Sequence, residues 1–69
     1  MNVVIADERV GYYEIPGDGG RSLLDYLDNG FNVVVEAGPA CRREYVYWYV
    51  NAGGHGTGWV LGQNMEPVQ

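Results

Sequence analysis

Glycine and proline punctuate this chain so closely that no stable helix fits between them. Breakers fall at Pro16-Gly17-Asp18-Gly19-Gly20, Asp28-Asn29-Gly30, Gly38-Pro39, Gly53-Gly54-His55-Gly56 and Gly62. Glycine supplies positive φ and proline withdraws a backbone donor, so each cluster is a turn signal. The window most open to a helix is Ser22 to Leu27, where Leu23, Leu24 and Leu27 have helical spacing and Ser22 precedes Asp25 as a cap. About six residues are too few to repay helix nucleation. That window reads as a short strand, with one helical turn as the alternative.

The other segments read more plainly. Met1 to Ala6 and Val10 to Ile15 are short and rich in β-formers. Phe31 to Ala37 alternates, with Phe31, Val33 and Val35 on one face and Asn32, Val34 and Glu36 on the other. Gly38 to Glu44 reads as a polar loop, Tyr45 to Asn51 as a strand, Ala52 to Thr57 as a flexible hairpin tip and Gly58 to Leu61 as a strand. After Gly62-Gln63-Asn64 a short tail follows, in which Pro67 forbids a long final strand. Five or six short strands, turns at about eight- to twelve-residue spacing and no long helix imply an all-β domain. At 69 residues, a small closed barrel is expected, because closure removes exposed edges. The chain reads as a single domain, 1–69.

The densest information lies in Tyr45-Val46-Tyr47-Trp48-Tyr49-Val50. Alternation assigns Val46, Trp48 and Val50 to the core and Tyr45, Tyr47 and Tyr49 to the outward face. Tyrosine presents a large amphipathic surface with only two χ angles to freeze, so three on one face form a ready contact platform. The same rings also stabilise neighbouring strands by cross-strand packing.

In order and spacing, several pieces together resemble the bacterial SH3-like domains. The pieces are Pro16-Gly17, Leu27-Asp28-Asn29-Gly30, Phe31 to Val35, Tyr47-Trp48-Tyr49-Val50 and Gly58-Trp59-Val60. The resemblance covers most of residues 10 to 65. It implies a five- to six-stranded SH3-like barrel that binds a peptide, cell-wall fragment or protein partner without catalysis. It places Tyr47 and Trp59 on the ligand groove; Tyr13 stands in the early tyrosine pair, and Asp18 lies in the loop Pro16 to Ser22 that corresponds to the specificity loop. The expected binding set is therefore Tyr13, Asp18, Tyr45, Tyr47, Tyr49 and Trp59. Two departures stand out. Tyr12-Tyr13 is all that corresponds to the early Ala-Leu-Tyr-Asp-Tyr-like segment. Leu61 to Met65 replaces the proline and late tyrosine of polyproline binders. Both argue against the usual groove for proline-rich peptides.

Charge and titratable residues narrow the partners. The net charge is −5, with nine acids, four arginines and no lysine. Nucleic-acid binding needs a basic footprint, and anionic membranes attract basic segments, so neither is expected. A basic protein partner is compatible, and the alternative reading is a small stand-alone acidic subunit or inhibitor. Cys41 is the one cysteine and His55 the one histidine. No disulfide, metal site, cofactor or catalytic residue is expected. A Cys41–His55 dyad would need folding to join the two residues and a rigid setting for both. Gly53 to Gly58 lacks the Lys-Ser/Thr ending of a phosphate loop. No stretch approaches a membrane span, and the start lacks the basic region of a signal peptide. If complete, the chain reads as cytoplasmic; it is also compatible with a domain of a larger protein.

Overall fold

The computed structural model describes residues 2–18 and 20–67. Met1, assigned above to the first strand, and Gly19, assigned to the first loop, lie outside the described residues. Seven strands form: β1 Asn2–Ile5, β2 Arg9–Tyr13, β3 Leu23–Asp28, β4 Asn32–Arg42, β5 Tyr45–Asn51, β6 Thr57–Leu61 and β7 Met65–Pro67. Short 3₁₀ turns cover Gly53–His55 and Gly62–Asn64. The fold is all-β, and Ser22 to Leu27 enters it as strand rather than helix.

All seven strands join one antiparallel sheet in the order β3-β2-β6-β5-β4-β1-β7. The expected closed barrel of five or six strands is corrected to an open sheet of seven. The count rises because β1 pairs with β4 on one side and with the tail strand β7 on the other. Closure fails because β3 and β7 form the two ends of the sheet and do not pair with each other. The sheet still curls around a single core. Val3 and Ile5 of β1 share one buried cluster with Val10, Tyr12, Leu27, Val33, Val50, Ala52 and Val60.

The expected polar loop Gly38 to Glu44 is also corrected. β4 continues through it to Arg42, with register shifts between Val35 and Ala37 and between Ala37 and Ala40. Such bulges bend a strand without ending it, which lets one long strand carry a glycine and a proline. The turn to β5 is only Arg43-Glu44, both at positive φ (51° and 71°).

The alternation in β4 holds: Val33 is buried, Phe31 and Val35 pack against the core, and Val34 is exposed. In β5, Val50 is buried and Trp48 packs against the core on the same face. Val46 is 43% exposed instead of buried. It lies near the Arg43-Glu44 turn, where the hairpin runs past the end of the core.

Candidate functional site

The strand register decides which rings meet. Tyr13 of β2 stands opposite Trp59 of β6, and Trp59 stands opposite Tyr49 of β5. Directly opposed residues project to the same face. Tyr13, Trp59 and Tyr49 therefore form a row across three strands, on the face away from the core. Tyr47 belongs to that face by its two-residue spacing from Tyr49. Alternation within the chain left Trp59 unassigned; the register places it centrally. The Tyr49 and Trp59 rings lie 5.3 Å apart at 55°, and the Tyr49 hydroxyl bonds the Thr57 Oγ1 at 2.7 Å.

Three of the expected residues, from three separate segments, line one hollow. Tyr13, Gly17, Asp18, Gly20 and Tyr47 enclose about 220 Å³. Tyr47 was expected to stand out into water, but it is only 8% exposed. It is on the predicted face and outside the core cluster. Its cover comes from Tyr13 and from Gly17, Asp18 and Gly20, tertiary neighbours that strand alternation cannot anticipate. The loop is held locally: the Asp18 carboxylate accepts the Gly20 N–H at 3.1 Å, and the Ser22 hydroxyl accepts the Ile15 N–H at 2.9 Å.

Two glycines permit this packing. A Cβ on Gly11 would come 3.0 Å from the Tyr13 hydroxyl and 2.8 Å from Leu23 Cδ1, so the Tyr13 side chain lies back over bare backbone. Gly17 sits at φ +74°, and a Cβ there would lie 2.4 Å from that of Arg42. Burial raises the Tyr13 pKa, and the neighbouring Tyr47, Tyr26 and Asp18 raise it further. The Tyr13 phenol therefore stays protonated, available as donor and acceptor at one side of the hollow.

Tyr26 of β3 was missed as a contributor. It stands opposite Gly11, and the Arg9 guanidinium lies 4.1 Å from its ring centroid. Its face follows from the fold: Leu27 is a core residue, so its neighbour in an alternating strand faces the other way. Tyr45 is separate. It is exposed and lines a different hollow with Val46, Trp48 and Leu61, beyond the Tyr13 cluster.

His55 is exposed at the hairpin tip, but it has neighbours there. Ala52 and Gly56 close the turn (Ala52 N–H to Gly56 O, 2.8 Å), and the Asn51 side chain accepts the Gly53 N–H at 2.9 Å. The His55 ring meets Phe31 edge-on at 5.1 Å and Tyr12 at 6.3 Å, and its Nδ1 lies 3.9 Å from Asp25 Oδ2. The buried Tyr12 hydroxyl donates to the His55 carbonyl at 3.0 Å. Burial raises the Tyr12 pKa, with a further push from Asp25. The Cys41–His55 dyad does not assemble. Cys41 stands opposite Val46, near the Arg43-Glu44 turn, and His55 follows the other end of β5. At about 3.3 Å per residue, Val46 to Asn51 alone spans roughly 16 Å. Among the described residues, no group of three or more potential ligands is placed to hold a metal ion, and no helix is long and apolar enough to cross a membrane.

No family profile, curated protein or solved structure matches this chain.

Proposed function

We propose that this protein is a non-catalytic binding module of SH3-like type. It would dock a peptide or protein segment on the aromatic face formed by Tyr13, Tyr47, Tyr49 and Trp59, with Asp18 at its margin. The observation that carries the reading is the convergence of Tyr13, Asp18 and Tyr47 from β2, a loop and β5 around one hollow. A core needs no such arrangement, because these rings lie on the face opposite the buried cluster. Rigid tyrosine and tryptophan surface carries binding energy at low entropic cost, and a few such anchors dominate most interfaces. The carboxylate of Asp18 and the net charge of −5 favour a ligand with basic side chains. Phenol and indole faces attract the same cations. The module reading also accounts for the missing proline and late tyrosine, since a hollow beside Asp18 asks for a cation more than for a polyproline ridge.

The test is a fluorescence titration with a basic peptide pool and a proline-rich one, on wild type, Asp18→Asn, Tyr13→Phe and Trp59→Phe. Basic peptides should bind, and more weakly as salt rises. Loss of an interface anchor at about 1–2 kcal/mol corresponds to a roughly 5- to 30-fold weaker Kd. Binding that is unchanged in all three variants, or no binding by either pool, refutes the assignment.

A further inference from the structure

The open sheet leaves two edges, and they are built differently. β7 is three residues long and ends at Pro67, which blunts it. β3 is six residues long and contains no proline. We propose that the free edge of β3 is a strand-addition site for an extended segment of a partner protein that carries lysine or arginine.

The direction of the free backbone groups follows from the ladder. At one end the Asn29 N–H donates to the Glu8 carbonyl at 3.4 Å; at the other the Glu14 N–H donates to the Ser22 carbonyl at 3.1 Å. Hydrogen-bonded and non-hydrogen-bonded pairs alternate along antiparallel strands. Val10 and Leu27 therefore exchange bonds, while Gly11–Tyr26 and Arg9–Asp28 do not. The N–H and C=O groups of Tyr26 and the N–H of Asp28 point away from β2 into the open edge, while the Asp28 carbonyl accepts the Phe31 N–H at 3.1 Å. Tyr26 bears this out, because its N–H donates to the side chain of Asp25 at 2.8 Å. That carboxylate is a cover that moves aside easily. Its other oxygen already lies 3.9 Å from His55 Nδ1, so Asp25 keeps a partner when a docking carbonyl takes the Tyr26 N–H.

The side chains at this edge suit an interface. Of the seven large hydrophobic residues found exposed, four are Ile15, Leu23, Leu24 and Tyr26, on β3 and the loop leading to it. Asp25 and Asp28 supply the charge. Arg9 stands opposite Asp28, but its guanidinium lies over the Tyr26 ring. Arg21 precedes the strand. A second copy of this chain is a poor occupant, because edge-to-edge pairing would bring Asp25 and Asp28 of both copies into one short ladder and join two net charges of −5. Like charges across a ladder destabilise it and opposite charges stabilise it, so a cationic strand fits this edge.

The experiment is a ¹⁵N–¹H titration of the whole chain at low salt. The probes are acetyl-Lys-Val-Lys-Val-Lys-Val-amide, its Glu-Val counterpart, and the Lys-Val peptide N-methylated at alternate residues. The Lys-Val peptide should shift the Tyr26 and Asp28 amides saturably and slow their exchange with solvent, while the other two should do neither. The double change Asp25→Asn with Asp28→Asn should weaken binding roughly 1.4- to 5-fold, the range for the one cross-strand charge pair that a single row of lysines can make with acids on opposite faces, with the sheet intact in the same spectra. Tyr26→Pro should abolish binding, since its N–H serves nothing within the sheet. Any of three results overturns the proposal: equal binding by the Glu-Val peptide, unaltered binding by the N-methylated one, or shifts confined to Tyr47 and Trp59. The last would leave the aromatic face standing and remove the edge site alone.

Discussion

Gly58 separates the two faces of the sheet, and replacing it with alanine tests their packing directly. Gly58 lies opposite Val50 and beside Trp59, and its φ is unexceptional. The residue is glycine for space: an added Cβ would lie 2.6 Å from Tyr12 Cδ2 and 3.2 Å from the Tyr13 carbonyl oxygen. To restore an ordinary contact of 3.4 Å the Tyr12 ring must retreat by 0.8 Å. It has little freedom to do so, being 3% exposed and tied through its hydroxyl to the His55 carbonyl. The Tyr13 carbonyl belongs to backbone paired with β6. Forcing a methyl into such a site costs about 1–3 kcal/mol, and the entropy gained in replacing a strand glycine returns about 0.5–1 kcal/mol. With both ranges at their midpoints the net loss is about 1.25 kcal/mol. At about 2.1 cal/mol/K per residue, a domain of this size loses about 7 °C per kcal/mol. Gly58→Ala should therefore lower Tm by about 9 °C in a circular-dichroism melt. Gly54→Ala is the control, because a Cβ there meets nothing within 4 Å at an ordinary φ; its Tm should be unchanged or slightly higher. A Gly58→Ala protein melting at or above wild type would refute the close approach of Tyr12 to β6.

Two further outcomes follow from the same geometry. The pKa values of Tyr12 and Tyr13 are raised above 10.0, so their contribution is fully present below that value. As pH rises through 10.0 the unfolded chain loses these protons first, and stability falls until the folded values are passed. The urea midpoint should drop between pH 9 and 11, and Tyr12→Phe should flatten the drop; an equal drop in that variant would contradict the role of burial. His55→Ala removes two edge-on ring contacts, with Tyr12 and Phe31, and should cost about 1–2 kcal/mol. It should leave peptide binding on the aromatic face unaltered. Wild-type stability in that variant would show that the hairpin tip is not held by the ring.

The elements written in local pattern were legible before folding. Tyr45 to Asn51 and the two faces of Phe31 to Ala37 follow from alternation and turn chemistry alone. The course of β4 through Gly38-Pro39 did not, because a bulged strand and a loop share the same breakers. Closure was inferred from a general aversion to exposed edges, yet the tail strand joined β1 and left β3 open. At the site, single-strand alternation put Tyr47 on the right face but gave the wrong exposure. Exposure depends on Tyr13 and on Gly17, Asp18 and Gly20, which reach Tyr47 only through the β2–β6 pairing. Trp59 and Tyr26 needed the same register. The contacts of His55 were not legible, because its neighbours in sequence are glycines and its neighbours in space, Phe31 and Asp25, come from elsewhere.

The central claim is that the aromatic face is a recognition surface and more than a second layer of packing. Aromatic ¹H–¹³C spectra during titration with the basic peptide pool test it most directly. The account predicts saturable shifts of the Tyr13, Tyr47 and Trp59 rings, with the Tyr12 and Phe31 rings on the core side unmoved. Saturable binding that leaves the Tyr13, Tyr47 and Trp59 resonances in place would contradict it.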